Sequence, residues 1–385
     1  MTSKSKTHYI SRRQFIKYSA SLSAAAVSPF VFTACAVDPV TGQKQLMMVS
    51  RQQEIGIDKM QAPHQFSSDY GISRDNRINS YISQVGKKQL AYVHRPDMPY
   101  NFNCVNANYI NAYAFPGGTI GISRGILLKL KNEAELGSLI GHELGHVNAR
   151  HSAEQMSKGQ LSSLIVGGIA IAASTQGAGL GEMTQQLGMV GQGLLLSKYS
   201  RDNEREADGL GNEYMVKAGY SSAGFVGLME MLQSLHKEKP GTAQILFSTH
   251  PMSSERLAAA QQRSKGIYGH TRDRPLHRDR YMDKIASLRR KKEGIALLQE
   301  GEKHLAKKEY EKGQALFLKA LKKMPDDYTG HILIAKALMA RKKSSKAVTY
   351  ADRAKSLYST EGQGFYLAGF ANASLEKMHL QIRQD

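Results

Sequence analysis

The 385-residue chain has no tryptophan, two cysteines (Cys35 and Cys104) and ten prolines. A single cysteine pair makes no disulfide framework, so the fold must rest on a packed core. The apolar run from Leu164 to Ala173, LIVGGIAIAA, is about half of the roughly 20 residues that a membrane-crossing helix needs. It reads as a buried helix or a lid over a cleft, and the glycine-rich stretch Gly177–Gly193 behind it reads as a loop. Acidic residues are the minority, 33 against 52 basic, for a formal net charge of +19. That excess suits an acidic protein partner, an anionic membrane surface or simply a solvated basic surface. No nucleic-acid motif accompanies it. What is present is a hydrophobic fraction of 41% and enough chain for about two domains.

The first 34 residues have a basic start, a mildly apolar middle and small residues before Cys35, the layout of an export signal. Ser11-Arg12-Arg13-Gln14-Phe15-Ile16-Lys17 resembles the twin-arginine motif, a receptor-read export address. Phe32-Thr33-Ala34-Cys35 resembles a lipobox, with phenylalanine where leucine is usual. Residues 1–34 are therefore expected to be a signal peptide and Cys35 the lipid attachment site. Lipoproteins held at the inner membrane carry aspartate after the cysteine. Ala36 stands there instead, so the expected location is the periplasm, lipid-anchored to the outer membrane. The plainer reading is an ordinary export signal cut near Ala34. Removing the leader takes away five basic residues and leaves +14. Lipidation would leave Cys104 without a partner.

Residues 36–265 read as one mixed domain. Helices are expected over 52–65 and 75–90 and again from Lys131. Between them, MPYNFNCVNANYINAYAFPGGTIGIS alternates and carries Asn, Pro and Gly-Gly breakers, as paired short strands do. Residues 266–284 are polar and turn-rich and read as a linker. Beyond them, over 285–385, small residues recur at a spacing of 34: Gly301, Ala335 and Gly369; Gly313 and Ala347; Ala320 and Ala354. That period marks tetratricopeptide repeats, here two and one further helix from about Phe365 to Lys377. Such repeats stack into concave protein-binding surfaces. This region holds 20 basic and 11 acidic residues, so it carries most of the positive charge.

The chemistry concentrates in GHELGHVNARH, Gly141 to His151. On a helix, residues four apart share a face. His142 and His146 can therefore hold one zinc ion, with Glu143 beside them near metal-bound water. Asn132 and Glu135 are placed to cap the start of that helix. His151, nine residues from His142, falls on the opposite side of a continuous helix and is expected at the surface or facing substrate. A third ligand must come from elsewhere. YSRDNEREADGLG, Tyr199 to Gly211, puts Glu204, Ala207, Asp208 and Gly211 on one helical face. Small Ala207 and Gly211 would admit a close neighbour. Glu204 is then the candidate ligand, and Asp208 the candidate partner for a ligand histidine's other ring nitrogen. Glu206 points away. The competing reading of this stretch is a charged, solvated helix.

HELGH followed by SRDNEREAD, with NAYAFPGGTIGIS and DPVTGQKQLMMVS upstream and STHPMSSERL downstream, resembles the gluzincin metallopeptidases of the HtpX and BepA type. The resemblance runs from about residue 38 to 260. It implies an α+β, zincin-type, mainly helical peptidase domain with a small sheet, followed here by the all-α tetratricopeptide-repeat domain. It implies one Zn2+ held by His142, His146 and Glu204, with Glu143 as catalytic base and Asp208 behind a ligand. His250 would either assist the oxyanion or fill the open metal position. The strand around Ala112 to Ile122 would be an edge that pairs with extended substrate. The implied work is hydrolysis of misfolded or stalled outer-membrane proteins, with an envelope assembly partner docked on the repeats. The rival expectation is a periplasmic chaperone or assembly scaffold acting mainly through the repeats.

Overall fold

The computed structural model describes residues 35–160, 198–237 and 241–382. The expected signal peptide with its twin-arginine motif, the apolar run Leu164–Ala173 and the stretch Gly177–Gly193 lie outside the described residues. The chain is mainly helical with a small sheet. Among the described residues, no helix is long and apolar enough to cross a membrane.

Strands β1 (Cys35–Val37) and β2 (Lys44–Leu46) form an antiparallel pair. Asp38 holds the turn between them, accepting from the Val40 and Thr41 N–H groups. Helix α1 (Arg51–Ser68) opens with a reciprocal capping box between Ser50 and Gln53. Helix α2 (Asn76–Lys87) opens on Asp75, whose carboxylate accepts from Arg77 and Ile78 N–H. A 3-10 turn, Leu90–Tyr92, completes the segment expected as one helix to residue 90.

The main sheet has the order β3 (Asn101–Val105), β5 (Thr119–Ser123), β4 (Ala112–Ala114). β5 runs parallel to β3 and antiparallel to β4. The expected edge from Ala112 to Ile122 is thus corrected. A tight turn at Phe115–Gly118, with Gly118 at φ 104, divides it. Within this segment β4 stands at one edge of the sheet, opposite β3 at the other, and β5 is bonded on both sides. All three residues of β4 are nevertheless buried, Ala112 and Ala114 in the main apolar core and Tyr113 in a second cluster with Phe66 and Phe115.

Helices α3 (Glu133–Asn148) and α4 (Arg201–Lys217) lie backbone against backbone. A Cβ on Gly141 would stand 2.6 Å from the Gly211 carbonyl oxygen, and one on Gly145 2.7 Å from that of Ala207. Glycine on α3 and Ala207 and Gly211 on α4 are what allow this approach. α5 (Ser222–Lys237), α6 (Gln244–Thr249) and α7 (Ser254–Lys265) complete the helical layer.

The stretch 266–284, expected as a linker, is exposed along most of its length but anchored to the body. Tyr281 is fully buried, and its hydroxyl donates to the Leu127 carbonyl at 2.6 Å. Arg280 grips the Glu133 carboxylate at 2.5 and 2.6 Å. These contacts are side-chain anchors in a locally polar sequence, which composition alone reads as loop. Beyond them come α8 (Lys292–Ala306), α9 (Tyr310–Lys323), α10 (Tyr328–Ala340), α11 (Ser344–Leu357) and α12 (Gly362–Ile382). Successive helices of this array pack on each other, and Gly301 lets the Phe317 ring sit against the α8 backbone.

The array is joined to the rest by one continuous apolar core, running from Ile78 and Ile122 to Ile332 and Ala371. Polar anchors cross the seam. Arg124 makes a two-pronged ion pair with Asp327 at 2.6 and 3.1 Å, with both side chains buried. Glu302 accepts from Tyr70 and Asn108, each at 3.1 Å.

Candidate metal centre

Asn132 caps α3 by accepting from the Glu135 N–H at 2.9 Å, and Glu135 reaches back to the Lys131 N–H at 2.7 Å. Helical spacing then carries His142 and His146 onto the face against α4. Their Nε2 atoms are 3.1 Å apart. From α4, Glu204 Oε1 lies 3.4 Å from His146 Nε2, and Oε2 lies 3.7 Å from His142 Nε2. His250, the residue closing α6, joins them. Its Nδ1 is 3.0 Å from Glu204 Oε1 and 3.4 Å from His142 Nε2. All four side chains are buried, and their donor atoms lie within 4.8 Å of one another.

A tetrahedral zinc with bonds of about 2.0–2.1 Å keeps its donors about 3.3 Å apart. Five of the donor separations, 3.0 to 3.7 Å, bracket that spacing within a set no wider than 4.8 Å, and nitrogen and carboxylate donors are the right chemistry for such an ion. The cluster can hold a metal ion. Two imidazoles and a carboxylate come from helix positions, and the fourth donor from a helix end.

The site is embedded in charge. Asp208 Oδ1 stands 3.0 Å from His142 Nδ1, the ring nitrogen facing away from the cluster. Arg256, near the start of α7, grips Asp208 with two bonds of 2.7 Å and reaches Glu204 Oε2 at 2.5 Å. Burial alone would raise the carboxyls of Glu204 and Asp208, but the neighbouring cations prevail and hold both low: for Glu204, His250 then Arg256; for Asp208, Arg256. Burial pushes His146 well below the usual histidine range. His250 is also opposed by burial, yet the Glu204 charge and hydrogen bond lift it above that range. Glu143 is pushed up by burial. It lines one cavity with His142, His250, Leu139, Met229 and Arg256.

The structure therefore brings Glu143, His142, His146, Glu204, Asp208 and His250 into one site. Cys35 lies in β1. The expectation for His151 is overturned. It is buried, with Nδ1 2.9 Å from His146 Nδ1 and Nε2 3.1 Å from Glu206 Oε2. The helical count from His142 does not apply, because α3 stops at Asn148 and Arg150 takes a left-handed φ of 58. Two further residues, Arg256 and Tyr199, went unread in the sequence. Arg256 lies in the quoted STHPMSSERL, where an arginine six residues after the histidine was the available signal. Tyr199 stacks on His146, with ring centroids 3.9 Å apart and an interplanar angle of 21°. Glu206, expected to point away from Glu204, does so and meets His151.

On the other side of His250 runs the groove along β4, lined by Tyr113, Ala114, Phe115, Tyr199 and Thr249. Two helices at backbone contact, a histidine pair from one and a glutamate from the other, with a second glutamate beside them in a cleft next to a sheet edge: this is the layout of a zincin-class metallopeptidase. The chain belongs to peptidase family M48, whose family model matches residues 76–264. It is similar to metalloprotease YcaL of Escherichia coli (strain K12), 33% identical over 194 residues, covering 49% of this chain and 73% of that protein. It is also similar to the beta-barrel assembly-enhancing protease of the same organism, 28% identical over 198 residues, covering 50% of this chain and 40% of that protein. The mitochondrial metalloendopeptidase OMA1 of Schizosaccharomyces pombe matches at 29% over 241 residues, covering 60% of this chain and 67% of that one. The match thus spans well under two thirds of the assembly-enhancing protease.

Proposed function

We propose that this protein is a zinc-dependent endopeptidase of the bacterial cell envelope. It hydrolyses misfolded or stalled outer-membrane proteins, is tethered by a lipid on Cys35 and is docked to an assembly partner by tetratricopeptide repeats. The observation that carries the enzymatic reading is the convergence of His142, His146, Glu204 and His250 within 4.8 Å, with Glu143 in the adjoining cavity. The substrate class is supported by similarity to a protease named for beta-barrel assembly. The repeats are supported by the 34-residue offset between the starts of α9 and α11, at Tyr310 and Ser344, and of α10 and α12, at Tyr328 and Gly362.

His142, His146 and Glu204 would hold the zinc. When bound, zinc polarises the scissile carbonyl and brings the pKa of water to about 7. Glu143 takes the proton of the attacking water and returns it to the leaving amine. Asp208 and Arg256 keep His142 and Glu204 oriented. An extended substrate lies along β4, at one edge of the sheet, where it gains backbone hydrogen bonds. His250 stands among the donors, which favours its filling the fourth position at rest over assisting the oxyanion from outside. Glu143→Gln is expected to abolish cleavage of an unfolded substrate while one zinc per chain stays bound. Undiminished cleavage by the purified variant would sink the assignment.

The same four-donor set favours a second reading. A site closed by His250 keeps no open position, so a chaperone or scaffold working through its helical array is the alternative. It wins if Glu143→Gln fully rescues a deletion strain.

A further inference from the structure

His146 presents Nε2 to the donor cluster, so in the neutral ring its hydrogen sits on Nδ1. That hydrogen needs an acceptor inside a site where His146 is buried. The atom facing it, at 2.9 Å, is His151 Nδ1. One of the two nitrogens donates and the other accepts, and the direction follows from the cluster: His146 donates. His151 then carries its own hydrogen on Nε2, where Glu206 Oε2 stands at 3.1 Å to accept it. Each hydrogen in this chain has one acceptor, and no alternative assignment leaves the lone pair of His146 Nε2 facing the donors.

The backbone is built to make this contact. Arg150 adopts φ 58 and breaks the helix, which turns His151 back beneath His146. Glu54 and the Val49 carbonyl hold the Arg150 guanidinium, the latter at 2.6 Å. Tyr199 closes the ring of His146 from one face, and its hydroxyl is fixed by Ser152 at 3.1 Å. We infer that His151 is a positioning residue for His146, fixing its tautomer and ring plane through a His146–His151–Glu206 relay, so that α4 backs both ligand histidines: His142 directly through Asp208 and His146 at one remove through Glu206. This rests on the metal-site reading above.

The experiment is zinc affinity of the full chain, by competition with a chromophoric chelator, with melting of the metal-free protein recorded alongside. Outer partners of ligand histidines typically contribute 10–100-fold in metal affinity. His151→Phe keeps the ring volume and removes the acceptor, and is expected to weaken zinc binding about 10–100-fold. His151→Asn keeps an acceptor near Nδ1, and is expected to recover most of that loss. Glu206→Ala, on the more exposed side, is expected to weaken binding without lowering the metal-free melting temperature. A purely structural role for His151 would follow side-chain volume, not the acceptor. A folded His151→Phe protein that binds zinc as tightly as wild type overturns the proposal. If that variant does not fold, wild-type affinity in Glu206→Ala overturns it. Wild-type protein that binds no zinc instead brings down the metal-site reading itself, and the relay with it.

Discussion

Arg256 is the residue on which the site's charge balance turns. It faces two buried carboxylates, Asp208 and Glu204, and a guanidinium suits that task because its fork bonds both oxygens of Asp208 at once. Removing one partner of a buried ion pair leaves an uncompensated charge, at about 3–5 kcal/mol. Arg256→Leu is expected to destabilise the metal-free protein by that order, read as a lower denaturant midpoint at unchanged slope. In the double variant with Asp208→Leu, the loss is expected to fall short of the sum of the two singles. Strict additivity would show that the two side chains do not act together. Of the site's residues, His142 and His146 were legible from a spacing of four, and Glu204 and Asp208 from sharing a face with Ala207 and Gly211. Arg256 was not, because its partner Asp208 is 48 positions away and its place six residues after His250 does not say what it meets.

At the scale of elements, the site depends on how closely α3 meets α4. The glycines at the crossing set that distance. Gly141→Ala and Gly211→Ala place a methyl against backbone, at 2.6 Å in each case, where no flexible side chain can yield. Overpacking of this kind costs about 1–3 kcal/mol. Each is expected to lower the melting temperature and to weaken zinc binding, since the ligands sit on opposite helices. Gly209 is the control on the same helix, with nothing within 4 Å of an added Cβ. Gly209→Ala is expected to be neutral or stabilising by up to about 1 kcal/mol. Equal losses at all three positions would show that helix propensity, not the crossing, decides. The sheet was legible as short paired strands but not in its order. Turn residues announce a hairpin, whereas the parallel β3–β5 pairing depends on contacts that no dipeptide encodes.

For the whole molecule, the seam between the sheet and the terminal helical array is the telling feature. Arg124 and Asp327 are 203 positions apart and buried together. Burial opposes ionisation of Asp327, but the Arg124 charge prevails and its pKa is lowered. A carboxylate with a lowered folded pKa stabilises the fold above its unfolded value of about 3.9. That contribution is lost as pH falls through the lower folded value. The wild-type advantage over Asp327→Asn is therefore expected to be full at neutral pH and to shrink only below about pH 4. Unfolding curves across pH check this, and an advantage that disappears by pH 6 would assign it to another group. The proposed tether belongs to this scale too. Cys35→Ser is expected to release the protein into the soluble fraction, and Arg12→Lys with Arg13→Lys to block export. Unchanged membrane fractionation of the Cys35 variant would refute lipidation.

The sequence by itself determined what is local: the capped helix that carries the histidine pair, the small-residue face that lets Glu204 approach it, and the 34-residue rhythm of the last hundred residues. These are legible because helical geometry converts spacing into direction without knowledge of the rest of the chain. Tertiary structure alone decided the remainder. It broke the helix at Arg150 because Glu54 and Val49 hold that side chain, and so moved His151 from the far face to the back of His146. It turned the polar stretch 266–284 into an anchored strap, because Tyr281 and Arg280 find partners far away in sequence. Such pairings are bought with long loop closures, and only the assembled core says which of them is worth making.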